Sequence, residues 1–434
     1  MEENRKPICS GLIYAIVFMS ACLVMTVLLV ATSLIPQVAI QTNMKESAAF
    51  IRTKQHLENV IPSVRGTQLH YSADATWFSI AYGFDPEHPF ESTMWANYYS
   101  GKGGLCQSFA DLVQNHIPGN MQYCRYWHGS AGILRFLHLV FNARQIYILQ
   151  IVLMILLFIS LTWLLCRHGF IAEAIAFGIA LLMVSSWVVP LCLEYIFVFL
   201  IMLSASIFAV RMALRDSYKN VGFLFLLTGM ATVYLDFLTS ETLTLLIPLL
   251  FILRIYSLWQ EDSRKMWSMA IKASALWLIG YCGMWAMKWV IASAVLHQNV
   301  MPMVTAHIEE RLGGSVGLAL PEYLTQTLVK NIKRLAFYDY GVYGAAAVFV
   351  LLFMLLLPVF TGRVSLREKI SWGRIGLYAV LMTLPYVRYL VLHNHSYGHF
   401  FFTYRAQAAS ILALCFIVLE LVQLNPRKAV MKNA

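Results

Sequence analysis

Ten apolar stretches, near residues 11–36, 145–166, 169–189, 191–213, 221–238, 242–258, 267–294, 343–361, 374–392 and 404–424, constrain what this chain can become. Each approaches or exceeds the ~20 residues a helix needs to cross a bilayer, and lipid tolerates only backbone that hydrogen-bonds to itself. With 59% hydrophobic and 12% charged residues among 434, no single water-soluble core absorbs that much apolar surface. The reading is an all-α integral membrane protein of about ten transmembrane helices. Arg5 and Lys6 ahead of the first stretch resemble a signal peptide, but the run is too long for one, so an uncleaved first span is expected.

The net charge of +10 raises the question of nucleic acid. Most basic residues instead sit in short connections: Arg167, Arg211/Arg215/Lys219, Arg254/Arg264/Lys265, Arg363/Arg367/Lys369/Arg374 and the tail Arg427/Lys428/Lys432. Placing both termini in the cytoplasm puts every one of these groups inside, as the positive-inside rule requires, so their partners are membrane lipids and not nucleic acid. The expected organisation is then a cytoplasmic terminus and first span (1–36), a large, partly helical exterior loop (37–144), spans two to seven (145–294), a second exterior loop (295–342), and the last three spans with a cytoplasmic tail (343–434). The cytoplasmic connections hold no GxxxxGK[ST] phosphate loop.

Polar chemistry gathers on the exterior side. Within the long loop, Asp74–Tyr82 reads as an amphipathic helix lying in the membrane interface, and Ile133–Phe141 as a second one with Arg135 and His138 on its polar stripe. Residues Ser47–Glu58 have the polarity of a further helix. Cys106 and Cys124 form a disulfide if that loop faces an oxidising exterior, or remain two free thiols. Asp74 is either a general base or an exposed acid at a helix start; Asp236 and Glu241 flank a turn between two spans, where they serve chemistry or helix capping. Lys288, between Trp285 and Trp289, either snorkels or holds a lipid phosphate.

His393, His395 and His399 invite a metal, yet no acid or cysteine completes a tetrahedral set. The stronger reading gives Asn394, His395 and His399 hydrogen bonds to a sugar or phosphate, with Arg388 and Arg405 as a bidentate phosphate clamp. Otherwise those arginines snorkel or pair with an acid such as Glu194, itself read as dipole-matched or ion-paired. The run His307, Glu309, Glu310, Arg311, followed by Gly313 and Gly314, is a lid over substrate or a solvated helix end.

YLDFLTSETLTLLIPL (234–249), GYCGMWAMKWVIAS (280–293), CRYWHG (124–129) and NHSYGHFFFTYR (394–405) resemble a family of bacterial polytopic membrane proteins of unassigned activity. That family in turn resembles the C-type (GT-C) glycosyltransferase superfamily, whose members take sugar from a polyprenyl-phosphate carrier at the outer membrane face. The resemblance implies a GT-C-like fold in the plasma membrane, a polyprenyl-phosphate-sugar donor and a glycan or lipid acceptor of the envelope. It implies a lipid phosphate held by exterior cations (Arg388, Arg405, Lys288), with Arg125 and His128 of CRYWHG beside them, and an acceptor hydroxyl deprotonated by a loop carboxylate. Members usually carry an acid close to the end of helix one; here only Glu46 and then Asp74 are available, with Asp236 as the next choice. No organic cofactor is implied, and a divalent cation stays open. The competing readings are a polysaccharide polymerase or ligase, a lipid-linked glycan transporter, and a non-catalytic assembly subunit. The scarcity of polar residues within the spans, apart from Glu173 and Thr228, weighs against transport.

Overall fold

The computed structural model describes residues 7–260, 262–313, 317–360 and 364–424. The readings placed on Arg5, Lys6, Gly314, Arg363, Arg427, Lys428 and Lys432 lie outside the described residues. Helix α1 (Pro7–Ser33) ends just before Pro36, whose ring has no N–H to continue the ladder. A helical lobe follows: α2 (Gln37–Arg52), α3 (Tyr71–Gly83), α4 (Pro89–Trp95), α5 (Gly104–Asn115) and α6 (Gly129–Leu137). A ribbon of β1 (Glu58–Asn59) and β2 (Gln68–Leu69) pairs antiparallel between α2 and α3. Asn142 and Gln145 then close a capping box that starts α7 (Ala143–Arg167).

Helices α8 (Ile171–Met183), α9 (Leu193–Leu214), α10 (Val221–Leu235), α11 (Leu243–Trp259) and α12 (Ser263–Val295) continue the bundle. A second lobe holds α13 (Met301–Gly313), α14 (Leu320–Ile332) and α15 (Ala336–Asp339). The chain finishes with α16 (Gly341–Phe360), α17 (Trp372–Val391), α18 (His393–Gly398), α19 (Phe400–Thr403) and α20 (Gln407–Leu421). Strands β3 (Val364–Leu366) and β4 (Val422–Leu424) clip the base of α16 to the end of α20.

Each of the ten apolar stretches falls on a helix, so the protein is all-α. Among the described residues, five helical segments are long and apolar enough to cross a membrane: Gly11–Ser33, Ala143–Arg167, Leu193–Leu214, Ser263–Val295 and Phe400–Leu421. Their outer faces stay bare, with Ile155 and Ile159 on α7 and Leu278, Ile279 and Val290 on α12 all about half exposed or more. So much contiguous exposed hydrocarbon is expected only where lipid or a partner is the neighbour.

Helix α11 is the axis, buried at every position from Leu243 to Ser257. That burial includes Arg254, an expensive charge unless paired. It meets Glu173 at 2.9 Å and Glu420 at 2.6 Å, and Arg374 adds a second cation to Glu420 at 3.3 Å. This network lies at the end of the bundle away from the two lobes. Helices α10 and α12 cross almost in backbone contact: a Cβ added to Gly229 would sit 2.2 Å from the Trp277 carbonyl oxygen, and one at Gly280 2.2 Å from that of Leu226.

The first lobe differs from the sequence expectation in four ways. Helix α3 does not lie amphipathically at a surface; only Ala73 and Gly83 escape full burial, and its Trp77 packs on Phe197 and Phe237 from the bundle. Helix α6 likewise buries its polar stripe. Arg135 donates to the carbonyls of Ala81, Tyr82 and Ile35, neutralising the C-terminal ends of α3 and α1, while His138 donates from Nδ1 to the Leu134 carbonyl at 2.7 Å. The helix expected over Ser47–Glu58 is the end of α2 to Arg52, with Glu58 in β1. The disulfide does not form. Cys106 and Cys124 are free buried thiols in separate packing clusters, Cys106 beside the Ser72 hydroxyl and Cys124 against Met94, Ala292 and Val300.

The α10–α12 crossing leaves no room for a side chain. Gly280→Leu is expected to lower stability by about 1–3 kcal/mol or more, read as a lower melting temperature of the detergent-purified protein, while Gly376→Leu, which meets open space, leaves it unchanged.

Candidate functional site

Two cavities meet where the lobes join the bundle. One, of about 200 Å³, is polar: His70, Ser72 and Thr76 from the approach to α3 and its first turns, Tyr123 and Arg125 from the CRYWHG region, Glu194 at the start of α9, and His395 and His399 around α18. The other, of about 450 Å³, is walled by Tyr281, Trp285 and Trp289 of α12, Val304, Ile308 and Leu312 of α13, and Leu238 and Leu392. Arg125, Tyr126 and Arg311 line both, and so stand at the junction.

The junction arginines are held without carboxylates. Arg125 lies over the Tyr123 ring at 4.0 Å, and its Nη1 donates to His307 Nε2 at 3.2 Å. Because arginine only donates, that nitrogen is the acceptor and His307 carries its proton on Nδ1, from which it donates to Glu310 at 3.0 Å. Arg311 repeats the arrangement on His399 Nε2 at 3.2 Å. Burial pushes the His399 pKa down to about 4, so its ring is neutral, with Nδ1–H buried and without a partner among the described residues. Neither arginine is in an ion pair with a carboxylate among the described residues. Two half-buried cations, Arg125 stacked on the Tyr123 phenol and both backed by neutral imidazoles, form a site for an anion.

In the polar cavity, His70 Nδ1 and Glu194 Oε2 are 2.8 Å apart. Burial alone would lower the His70 pKa, but the Glu194 carboxylate outweighs it and the net shift is upward. A neutral His70 donating from Nδ1 keeps Nε2 as a basic nitrogen, with no protein partner among the described residues. His56 stands edge-on to this ring at 5.1 Å and engages Ser72 at 2.6 Å.

The residues singled out by sequence divide. Arg125, His395 and His399 line the polar cavity; Arg388 Nη2 donates to His395 Nδ1 at 3.4 Å. Glu241 lines the apolar cavity, yet it is bound by Arg388 at 2.8 Å. Arg388 is thereby saturated, also donating to Ser396 Oγ and the Leu238 carbonyl, so it is no free phosphate clamp. Arg405 is buried between Tyr195 and Tyr404, donating to the Gly66 and Phe401 carbonyls, away from both cavities.

Lys288 neither snorkels nor faces a head group. It is fully buried and donates to the Thr93 and Met94 carbonyls, closing the C-terminal end of α4. Asn394 latches the second lobe, accepting from Tyr323 at 2.6 Å and donating to the Glu310 carbonyl. His128 is packed among Tyr123, Tyr126 and Phe237 and donates from Nε2 to the Tyr123 carbonyl.

The two remaining acids lie behind the cavity walls. Asp236 turns inward on Thr239, accepting from its N at 3.0 Å and Oγ1 at 2.6 Å. Asp74 Oδ2 accepts from Tyr147 at 2.7 Å, while Oδ1 accepts from Leu193 N at 3.0 Å and Glu194 N at 3.4 Å, capping α9 from another helix. Burial raises its pKa to about 6, against the pull of those donors. Among the described residues no group of three His, Cys, Asp or Glu side chains is placed to hold a metal ion.

Sequence reasoning missed His70 and the cavity role of Glu194, and left Arg311 between a lid over substrate and a solvated helix end. The available signal was an acid four residues after Pro190 at the head of an apolar run, for which an ion partner was expected and a cavity was not. Comparison with known protein families, curated proteins and solved structures finds no match.

Because Glu194 raises the His70 pKa, the pair adds stability below the ordinary histidine pKa that is lost as pH rises through the raised value. Glu194→Gln should move the His70 titration to lower pH, read from its ring-proton NMR shifts. A titration left in place would show that Glu194 does not set the histidine's charge.

Proposed function

We propose that this protein is a membrane glycosyltransferase that moves a sugar from a polyprenyl-phosphate donor to a glycan or lipid acceptor. The observation that carries the reading is the pair of cavities of opposite polarity sharing Arg125 and Arg311. An isoprenoid tail fits the apolar cavity walled by Trp285, Trp289 and Ile308, its phosphate meets the two arginines, and the sugar enters the polar side. Whole ligand pockets usually run about 300–1,000 Å³, so the 200 Å³ polar cavity suits a single sugar unit.

In this reaction the acceptor hydroxyl loses its proton to His70 Nε2, oriented by Glu194, as its oxygen attacks the anomeric carbon. The bond from that carbon to the phosphate oxygen breaks with inversion, and Arg125 and Arg311 take up the charge left on the carrier phosphate. Asp74 becomes a positioning residue, since it fixes the backbone that presents Glu194.

The reading includes a ten-helix, GT-C-like bundle in the plasma membrane with both termini cytoplasmic and the lobes outside. Its support is that Arg167 ends α7, Arg215 caps α9 and Arg264 lies in the first turn of α12, all at the end opposite the lobes, as lipid orientation rules require.

In proteoliposomes with a radiolabelled polyprenyl-phosphate sugar, Glu194→Gln and His70→Gln should each lower kcat about 100-fold or more. Arg125→Lys and Arg311→Lys should weaken donor binding because the planar fork is lost. Full transfer by both the Glu194 and His70 variants would overturn the base assignment, and undiminished donor affinity in both lysine variants would overturn the clamp.

A further inference from the structure

A third cavity, of about 370 Å³, opens in the first lobe between α4, the end of α3 and the segment 112–119. We propose that it binds a neutral, hydroxyl-rich saccharide. Its wall carries Tyr82, Asp85, Glu91, Trp95, Asn97 and His116, and no lysine or arginine. It therefore repels phosphate, the opposite selection from the arginine junction.

Several of these groups are uncommitted. The Trp95 indole N–H, the Glu91 carboxylate and the Asn97 amide have no hydrogen-bond partner among the described residues, although each lines the same space. A half-buried indole offers a flat face to sugar C–H groups, and carboxylate and amide oxygens accept sugar hydroxyls. Other groups are fixed in place. Tyr82 donates to Gln41 Oε1 at 2.6 Å and meets His116 Nδ1 at 3.1 Å, while Asp85 is held by His88 at 3.0 Å. The floor is kept open by Gly119, where a Cβ would lie 2.8 Å from that of Asn97.

The cleft backs onto the polar cavity: the Trp95 carbonyl accepts from Tyr123 N at 3.0 Å, and Tyr123 lines that cavity. A glycan seated here lies one backbone layer from the arginine junction. The inference stands on its own lining and does not rest on the transfer reading.

The test uses the full-length protein, fluorescently labelled in nanodiscs, on an array printed with neutral microbial oligosaccharides and with basic peptides. Binding to a subset of the neutral glycans is expected, reduced at least ten-fold in Trp95→Ala and in the exposed double variant Glu91→Gln/Asn97→Ala. Melting temperature separates loss of binding from loss of fold, and the double variant carries the test if Trp95→Ala does not fold. Glycan binding that neither variant alters, no glycan binding at all, or binding of basic peptides in preference to sugars each overturns the proposal.

Discussion

A single carboxylate holds the two halves of the site together. Asp74, completely buried on α3, receives the Tyr147 hydroxyl from α7 and the first amides of α9. An ionised carboxylate without those donors would be very unfavourable in such a place, and the N-terminal end of a helix is where one is best accommodated. The lobe is thus docked on the bundle in one register. Glu194, whose own amide is among the donors, is presented to His70 as a direct result.

The arginines divide into those that build and those that are available. Arg254, Arg334, Arg374 and Arg388 each meet a carboxylate within 3.3 Å and serve as internal struts. Arg125 leans on the Tyr123 ring and His307, and Arg311 on the neutral His399 imidazole, which position a guanidinium without cancelling its charge. Net charge is a poor guide to this distinction. What matters is whether the nearest hydrogen-bond partner is itself an anion.

The sequence revealed the helices well because hydrocarbon length is a local property: all ten apolar stretches fold as helices. It also led to the CRYWHG and NHSYGHFFFTYR segments, whose Arg125, His395 and His399 do converge. It was misleading wherever the deciding partner is remote in the chain. Nothing near Lys288 announces the Thr93 and Met94 carbonyls 195 and 194 residues away, and nothing near Asp74 announces Leu193. The amphipathic look of residues 74–82 failed for a related reason. A helix covered by its own lobe on one side and by the bundle on the other shows a stripe pattern with no surface to match it.

The hydrogen bond from Gly66 N to Asp339 closes a loop of 273 residues, and Tyr404 reaches back to the Gly66 carbonyl from still further along. The polar cavity likewise takes residues from His70 to Phe402. During synthesis, the first lobe therefore emerges long before the groups that complete it. It waits through nearly the whole of membrane insertion with its cavity face unfinished, and the site comes into being only once α19 has been made. A truncated or stalled chain consequently lacks the complete site, however well its early helices have inserted.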